Sequence, residues 1–146
     1  MTQLLSIGAA AEATGLTPRT LRYYEQRGLL FPSAHSTGGA RRYTPADLER
    51  LARIRSLAEL LGADLGQIKK VLDGEDRLEG IRAEYHSDGV TPEREHELLV
   101  QALATRQALL AEVDAKVAAL QDMRGQLLQR IERLERRLGP TERQPG

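Results

Sequence analysis

From Leu99 to Leu138 apolar side chains return at alternating steps of four and three: Leu99, Leu103, Leu110, Val113, Val117, Leu120, Leu127, Ile131, Leu134 and Leu138. Arg106 and Arg124 occupy the two positions where an apolar residue is missing. This is a heptad seam, which predicts a coiled-coil helix. A continuous helix from Pro92 to Leu138 spans 47 residues and would be about 70 Å long. In a chain of 146 residues, the rest of the molecule forms one modest core and cannot cover such a rod. The seam therefore requires a partner, most simply a second copy of itself, with Leu103, Leu110, Val113, Val117, Leu120, Leu127, Ile131 and Leu134 as its dimerisation residues. For Arg106 and Arg124 two readings stand: they fix register by meeting acids such as Glu112 or Asp114, or they snorkel at the seam edge. Gly139-Pro140 stops the helix, and residues 139–146 read as a disordered tail.

The part ahead of the rod also reads as helical. With no Trp and one Phe, its core must come from Leu, Ile, Val and Ala, which suits helices better than a sandwich. Thr-Pro recurs at Thr17-Pro18, Thr44-Pro45 and Thr91-Pro92, pairing a capping hydroxyl with a ring suited to the first helical position. Asp64 with Gln67 reads as a capping-box variant, and Ser6 as the start of a first helix. The map is helix at 6–13, a turn at Thr14-Gly15-Leu16, helix at 18–27, helix at 45–61 and helix at 65–73. Between 28 and 43, Pro32, Ser33, Ser36, Thr37, Gly38 and Gly39 lead into Arg41-Arg42-Tyr43, the pattern of a hairpin turning at the glycines. Residues 74–91, with Gly74, Gly80, Ser87 and Gly89, read as an acidic polar connection.

Formal net charge is zero, but the chain is polarised. Residues 1–73 carry +3 and residues 74–146 carry −3. Within 17–55, Arg19, Arg22, Arg27, Arg41, Arg42, Arg50, Arg53 and Arg55 face only Glu25, Asp47 and Glu49, a net of +5. That concentration is a candidate polyanion footprint. On a helical wheel, 18–27 puts Leu21 and Tyr24 on one side, to pack on Ile7, Ala10 and Leu16. Arg19, Arg22, Tyr23 and Gln26 fall on the opposite arc. Arg supplies the fork that guanine N7 and O6 accept, and a Tyr hydroxyl can hold a phosphate. A short helix, a Gly turn, a second helix and a basic hairpin come in the order of a winged helix-turn-helix.

Several functions are excluded or left without support. The absence of cysteine removes disulfides, thiolate metal sites and thiol redox switches. No charged-then-apolar leader and no apolar run near 18 residues is present, so a cytoplasmic location without membrane contact is expected. No nucleophile elbow, phosphate loop or metal-ligand cluster argues for an enzyme, and no cofactor is expected.

The strings Thr20-Leu21-Arg22-Tyr23-Tyr24-Glu25, Gly28-Leu29-Leu30, Arg41-Arg42-Tyr43, Leu48 to Ile54, Leu61-Gly62 and Ile68 resemble the MerR family of transcription regulators over residues 4–73. The fold expected is all-α with a small β wing. A winged helix-turn-helix DNA-binding domain at 1–73, a connection at 74–91 and a helix at 92–138 would form an antiparallel coiled-coil homodimer. The resemblance implies double-stranded promoter DNA as partner, read through Thr17, Arg19, Thr20, Arg22, Tyr23 and Gln26, with Arg41 on a flanking phosphate; Tyr24 and Tyr43 fall in the core. Ala40 and His35 depart from the aromatic and basic residues common in family wings, and Arg42 is the candidate substitute. The resemblance further implies a palindromic site whose DNA is bent and untwisted so that RNA polymerase engages both promoter elements. Alternatives are a ligand-independent repressor or a helical adaptor without such distortion. For a signal, thiolate metal sensing and a separate drug-binding domain are not expected. Segment 75–97, with His86 and His96, and a small apolar ligand between helix 65–73 and the long helix are the places for an effector, beside the option of none.

Overall fold

The structure is a computed structural model and describes residues 4–31, 34–35, 41–62 and 64–140. Its elements are α1 (Ile7–Thr14), α2 (Pro18–Gln26), β1 (Ala34–His35), β2 (Arg41–Arg42), α3 (Pro45–Leu61), α4 (Leu65–Tyr85) and α5 (Pro92–Leu138). All three Thr-Pro pairs start helices. Thr17 Oγ1 accepts from the Thr20 amide at 3.1 Å, Thr44 from Asp47 at 3.2 Å and Thr91 from Arg94 at 3.2 Å. Ser6 caps α1 by accepting from the Ala9 amide. At Thr44 the cap is reciprocal, because Asp47 Oδ2 accepts the Thr44 amide at 2.8 Å, so two otherwise orphaned donors are satisfied at once. Asp64 caps α4 as expected, but the Gln67 side chain does not return to the cap: its Nε2 donates to the Glu112 carbonyl of α5 at 3.5 Å.

Helices α1 to α4 close around one apolar core that includes Ala10, Leu21, Leu29, Leu30, Tyr43, Leu51, Ile54 and Ile68, all with no exposure. Ile7, Leu16 and Tyr24 pack against it. The α1–α2 turn is tight because Gly15 sits in the left-handed region at φ 71°, sending its amide back to the Ala11 and Glu12 carbonyls. Arg55 of α3 braces this turn, its Nη1 donating to the Thr14 carbonyl at 2.8 Å. The wing strands pair antiparallel, Ala34 with Arg42 and His35 with Arg41, and Leu5 exchanges backbone bonds with Tyr43 at 2.9 and 2.8 Å. The wing's turn at Gly38-Gly39 and the tail from Thr141 to Gly146 lie outside the described residues.

The connection expected at 74–91 is corrected. Helix α4 continues through Gly74 and Gly80 to Tyr85, and only residues 86–91 join it to α5. Two glycines in a helix interior cost about 1 kcal/mol each relative to Ala, and contacts across elements offset that. At Gly74 a Cβ would lie 2.7 Å from Leu109 Cδ2, so the missing side chain is the space into which Leu109 packs. Glu75 and Asp76 are gripped by α3, and Leu98 of α5 is buried at 2% exposure. At the far end Arg94 donates to both Glu84 oxygens, at 2.6 and 2.9 Å. Helix α4 is thus clamped to α3 at its middle and to α5 along its length.

Beyond Lys116, α5 runs on its own. The seam residues all face solvent in the single chain, from Val117 at 44% to Leu134 at 60% exposure. These large apolar side chains form one continuous row along the rod with no cover from the described residues of the same chain.

Candidate nucleic-acid interface

Helix α2 is nine residues long and presents the arc read from the sequence. Leu21 is fully buried and Tyr24 half-buried, where burial raises its phenol above the usual value. The opposite side carries Arg19, Arg22, Tyr23 and Gln26 into solvent, and with Thr20 these line one concave patch of about 530 Å³. Because α2 is seated on α1 and on the core by Leu21, this face is held outward by packing.

The two threonines serve the helix first. Thr17 Oγ1 takes the Thr20 amide, and the two hydroxyls lie 2.9 Å apart. They therefore stand at the helix N-terminus, where the backbone amides and the helix dipole favour an anion. Tyr23 has a partner that the wheel does not reveal: the Arg27 guanidinium lies over its ring, 5.7 Å from the centroid. This cation–π contact steadies the phenol and places a positive charge beside it. Arg27 follows α2 as its C-cap residue, four positions after Tyr23, and was left off the arc read from the sequence.

The arginine footprint contracts. Arg50 is engaged through Nε, which donates to the Leu29 carbonyl at 2.7 Å, and through Nη1, which holds both Asp76 oxygens at 2.8 and 3.0 Å. Arg53 Nε meets both Glu75 oxygens at 3.0 and 3.2 Å, and this hydrogen-bonded pair raises its pKa. Arg55 is committed to Thr14 and, at 3.8 Å, to Glu59. These three cations join α3 to its neighbours. Among the described side chains, what remains outward is Arg19, Arg22 and Arg27 on or just after α2, with Arg42 half-buried on the wing. Tyr43 behind the wing is fully buried and donates to Glu25 Oε1, which ties β2 to α2 and fixes where the wing leaves the domain. Arg41 is placed by its backbone pairing with His35.

Segment 75–97 is not the loose polar stretch expected. Within it Glu84 is held below its ordinary value by the hydrogen bonds from Arg94, which also reaches Glu97 at 2.9 Å. His86 packs edge-on against Tyr85, with ring centroids 5.3 Å apart. Between α4 and α5 lies an open groove of about 410 Å³. Its lining is mixed, with Lys70, Asp73, Arg77 and Glu112 beside Gly74, Ala104, Ala108 and Leu109, at the place the sequence offered for a small effector. Glu112, one of the acids considered for a seam arginine, lies 3.6 Å from Lys70. Among the described residues no helix is long and apolar enough to cross a membrane.

Comparison with known proteins places this arrangement. Residues 5–75 match the MerR HTH family regulatory protein profile. The HTH-type transcriptional regulator YfmP of Bacillus subtilis is 30% identical over 139 residues, covering 95% of this chain and 94% of its own length. The nodulation protein NolA of Bradyrhizobium elkanii is 46% identical over 72 residues, covering 49% of this chain. The match takes in 32% of NolA, so the chain spans about a third of that relative. A crystal structure of a MerR-family transcriptional regulator from Bacillus cereus aligns over 98% of this chain and 88% of its own, at 27% identity and a TM-score of 0.46. With the profile matching α1 through the start of α4 and a relative matching nearly end to end, this chain belongs to the MerR family of helix-turn-helix, DNA-binding transcriptional regulators.

Proposed function

We propose that the chain acts as a homodimer on a palindromic promoter site and controls transcription by distorting the DNA between promoter elements so that RNA polymerase can engage them. The observation that carries this reading is the pairing, on one chain, of an outward basic face on α2 with a long rod whose apolar seam has no cover. One α2 enters a major groove with Arg19, Arg22, Tyr23 and Gln26, Thr17 and Thr20 stand at its N-terminus, and Arg41 and Arg42 of the wing hold a flanking phosphate. The dimer joins along Leu103, Leu110, Val113, Val117, Leu120, Leu127, Ile131 and Leu134.

Charge supports an antiparallel arrangement. Along α5, residues 92–115 carry five acids and two bases, whereas residues 116–138 carry three acids and six bases. Antiparallel pairing sets the acidic half against the basic half, and parallel pairing sets like against like. An antiparallel rod also relates the two DNA-binding domains by a two-fold axis, the symmetry of a palindromic site.

The test is a footprint on the DNA upstream of the protein's own coding region, followed by transcription from that template with and without cell extract. A symmetric protected site with enhanced cleavage at its centre is expected, and a response to extract would point to an effector. No protected site at moderate salt would overturn the reading.

A further inference from the structure

The seam fixes its own register. In an antiparallel pair each a position faces a d position, and one alignment uses every member of the seam: Leu99 with Leu138, Leu103 with Leu134, Arg106 with Ile131, Leu110 with Leu127, Val113 with Arg124 and Val117 with Leu120. A shift by one heptad in either direction strands seam residues at the ends, so the full alignment wins. This step rests on the antiparallel dimer proposed above.

That register brings the second copy to a place other than the seam. Helix α5 packs on α4 through Leu98, Ala102, Thr105, Leu109 and Glu112, a face turned roughly a quarter of the way round from the seam. Leu109 lies on the flank between the two faces, and in the register above the residue that meets this flank from the other copy is Arg130. The same geometry sets the partner's Arg137 beside Ala102. Leu109 is one wall of the groove between α4 and α5, about 410 Å³ in volume, in which Asp73 and Glu112 present carboxylates. Asp73 is half-exposed and Glu112 mostly covered, and both are held by flexible lysines, Asp73 by Lys69 at 2.9 Å and Glu112 by Lys70 at 3.6 Å. Arg77 also lines the groove. Arg130 makes no hydrogen bond or ion pair among the described residues, and it belongs to an exposed row, Arg130, Arg133 and Arg137, spaced to share one helix flank.

We infer that the groove between α4 and α5 is completed in trans: the partner's Arg130 enters it, lays its stem on Leu109 and gives its guanidinium fork to Asp73 and Glu112. A planar fork with five donors suits two carboxylates better than the single ammonium of either lysine, and its stem covers apolar surface on the way. The contact links each rod to the other copy's α4, and α4 is the helix whose Glu75 and Asp76 hold α3 of the DNA-binding domain. The two domains would then be coupled through the groove as well as through the seam.

The test has two arms on the full chain. First, Leu110→Cys with Leu127→Cys, in a protein that has no native cysteine, should form a disulfide-linked dimer. Second, Arg130→Gln, the acid-neutralised variant (Asp73→Asn with Glu112→Gln) and all three changes together form a cycle read by sedimentation. Each side of the cycle should raise the dimer dissociation constant roughly fivefold, and the combination should do little more than either alone, because both remove one interaction. Independent, additive effects or no effect, with the crosslink formed, would overturn the trans contact and leave the dimer standing. A chain that neither crosslinks nor self-associates would overturn the dimer, and this inference with it.

Discussion

The arginines of residues 17–55 should separate into two classes when each is replaced by Ala. Arg22 stands exposed on the outer face of α2, seated by Leu21, whereas Arg53 is bound to Glu75 of α4. If Arg22 makes a bidentate base contact, its loss costs about 1–3 kcal/mol, which is roughly a 5- to 150-fold weaker complex, with the salt slope unchanged. If it holds a phosphate, the slope of log affinity against log salt falls by about 0.9. Arg53→Ala acts elsewhere. Its side chain and that of Glu75 are 45% and 33% exposed, so the pair is screened and contributes about 0.3–1 kcal/mol to stability. That corresponds to a shift of a few degrees at most in Tm. Fluorescence titrations of a labelled operator duplex at three salt concentrations, beside thermal melts of the free proteins, would read both quantities. Arg22→Ala should weaken binding with no change in Tm, and Arg53→Ala should lower Tm slightly and leave the salt slope as it was. The sorting is refuted if Arg53→Ala lowers the slope by about one at unchanged Tm, or if Arg22→Ala binds like the parent.

Other perturbations follow from the same contacts. The two glycines of α4 should respond with opposite signs in urea melts: Gly80→Ala, with nothing within 4 Å of the new Cβ, should stabilise by about 0.5–1 kcal/mol. Gly74→Val should destabilise, because its side chain needs the space Leu109 fills. Leu98→Ala removes a side chain only 2% exposed and should cost about 2–4 kcal/mol in the same assay. On the proposed pairing, Val117→Lys near the middle of the seam should sediment as a monomer where the parent sediments as a dimer, with the helical signal of the DNA-binding domain retained. Glu84 lies below its ordinary carboxylate value because Arg94 bonds to its charged form. The stability this pair adds is therefore complete above that ordinary value and is lost as pH falls through the depressed one. Urea midpoints of the parent and Glu84→Gln should differ at neutral pH and converge in acid below the ordinary carboxylate value; a gap that stays constant into that acid would contradict the sign.

Periodicity and capping were decisive where the interactions are local. The heptad spacing of α5, the three Thr-Pro starts and the two-sided wheel of α2 depend on side chains three or four positions apart, so the linear order already contains them. The same holds for the apolar seam of α5, whose exposed row was legible from its spacing. The tertiary structure decided what depends on distant pairs. Gly74 and Gly80 signal a break to any local rule, yet α4 passes through both because Leu109, 35 positions away, packs where a Cβ at Gly74 would be, and because Asp76 and Glu75 are gripped by Arg50 and Arg53. Those same pairs withdrew Arg50 and Arg53 from the basic footprint, and Arg27 joined the outward group through the ring of Tyr23. A count of charges cannot distinguish a cation aimed at solvent from one neutralised by an acid 22 or 26 residues away, since that depends on where the chain folds back, and folding back is a property of the packed core.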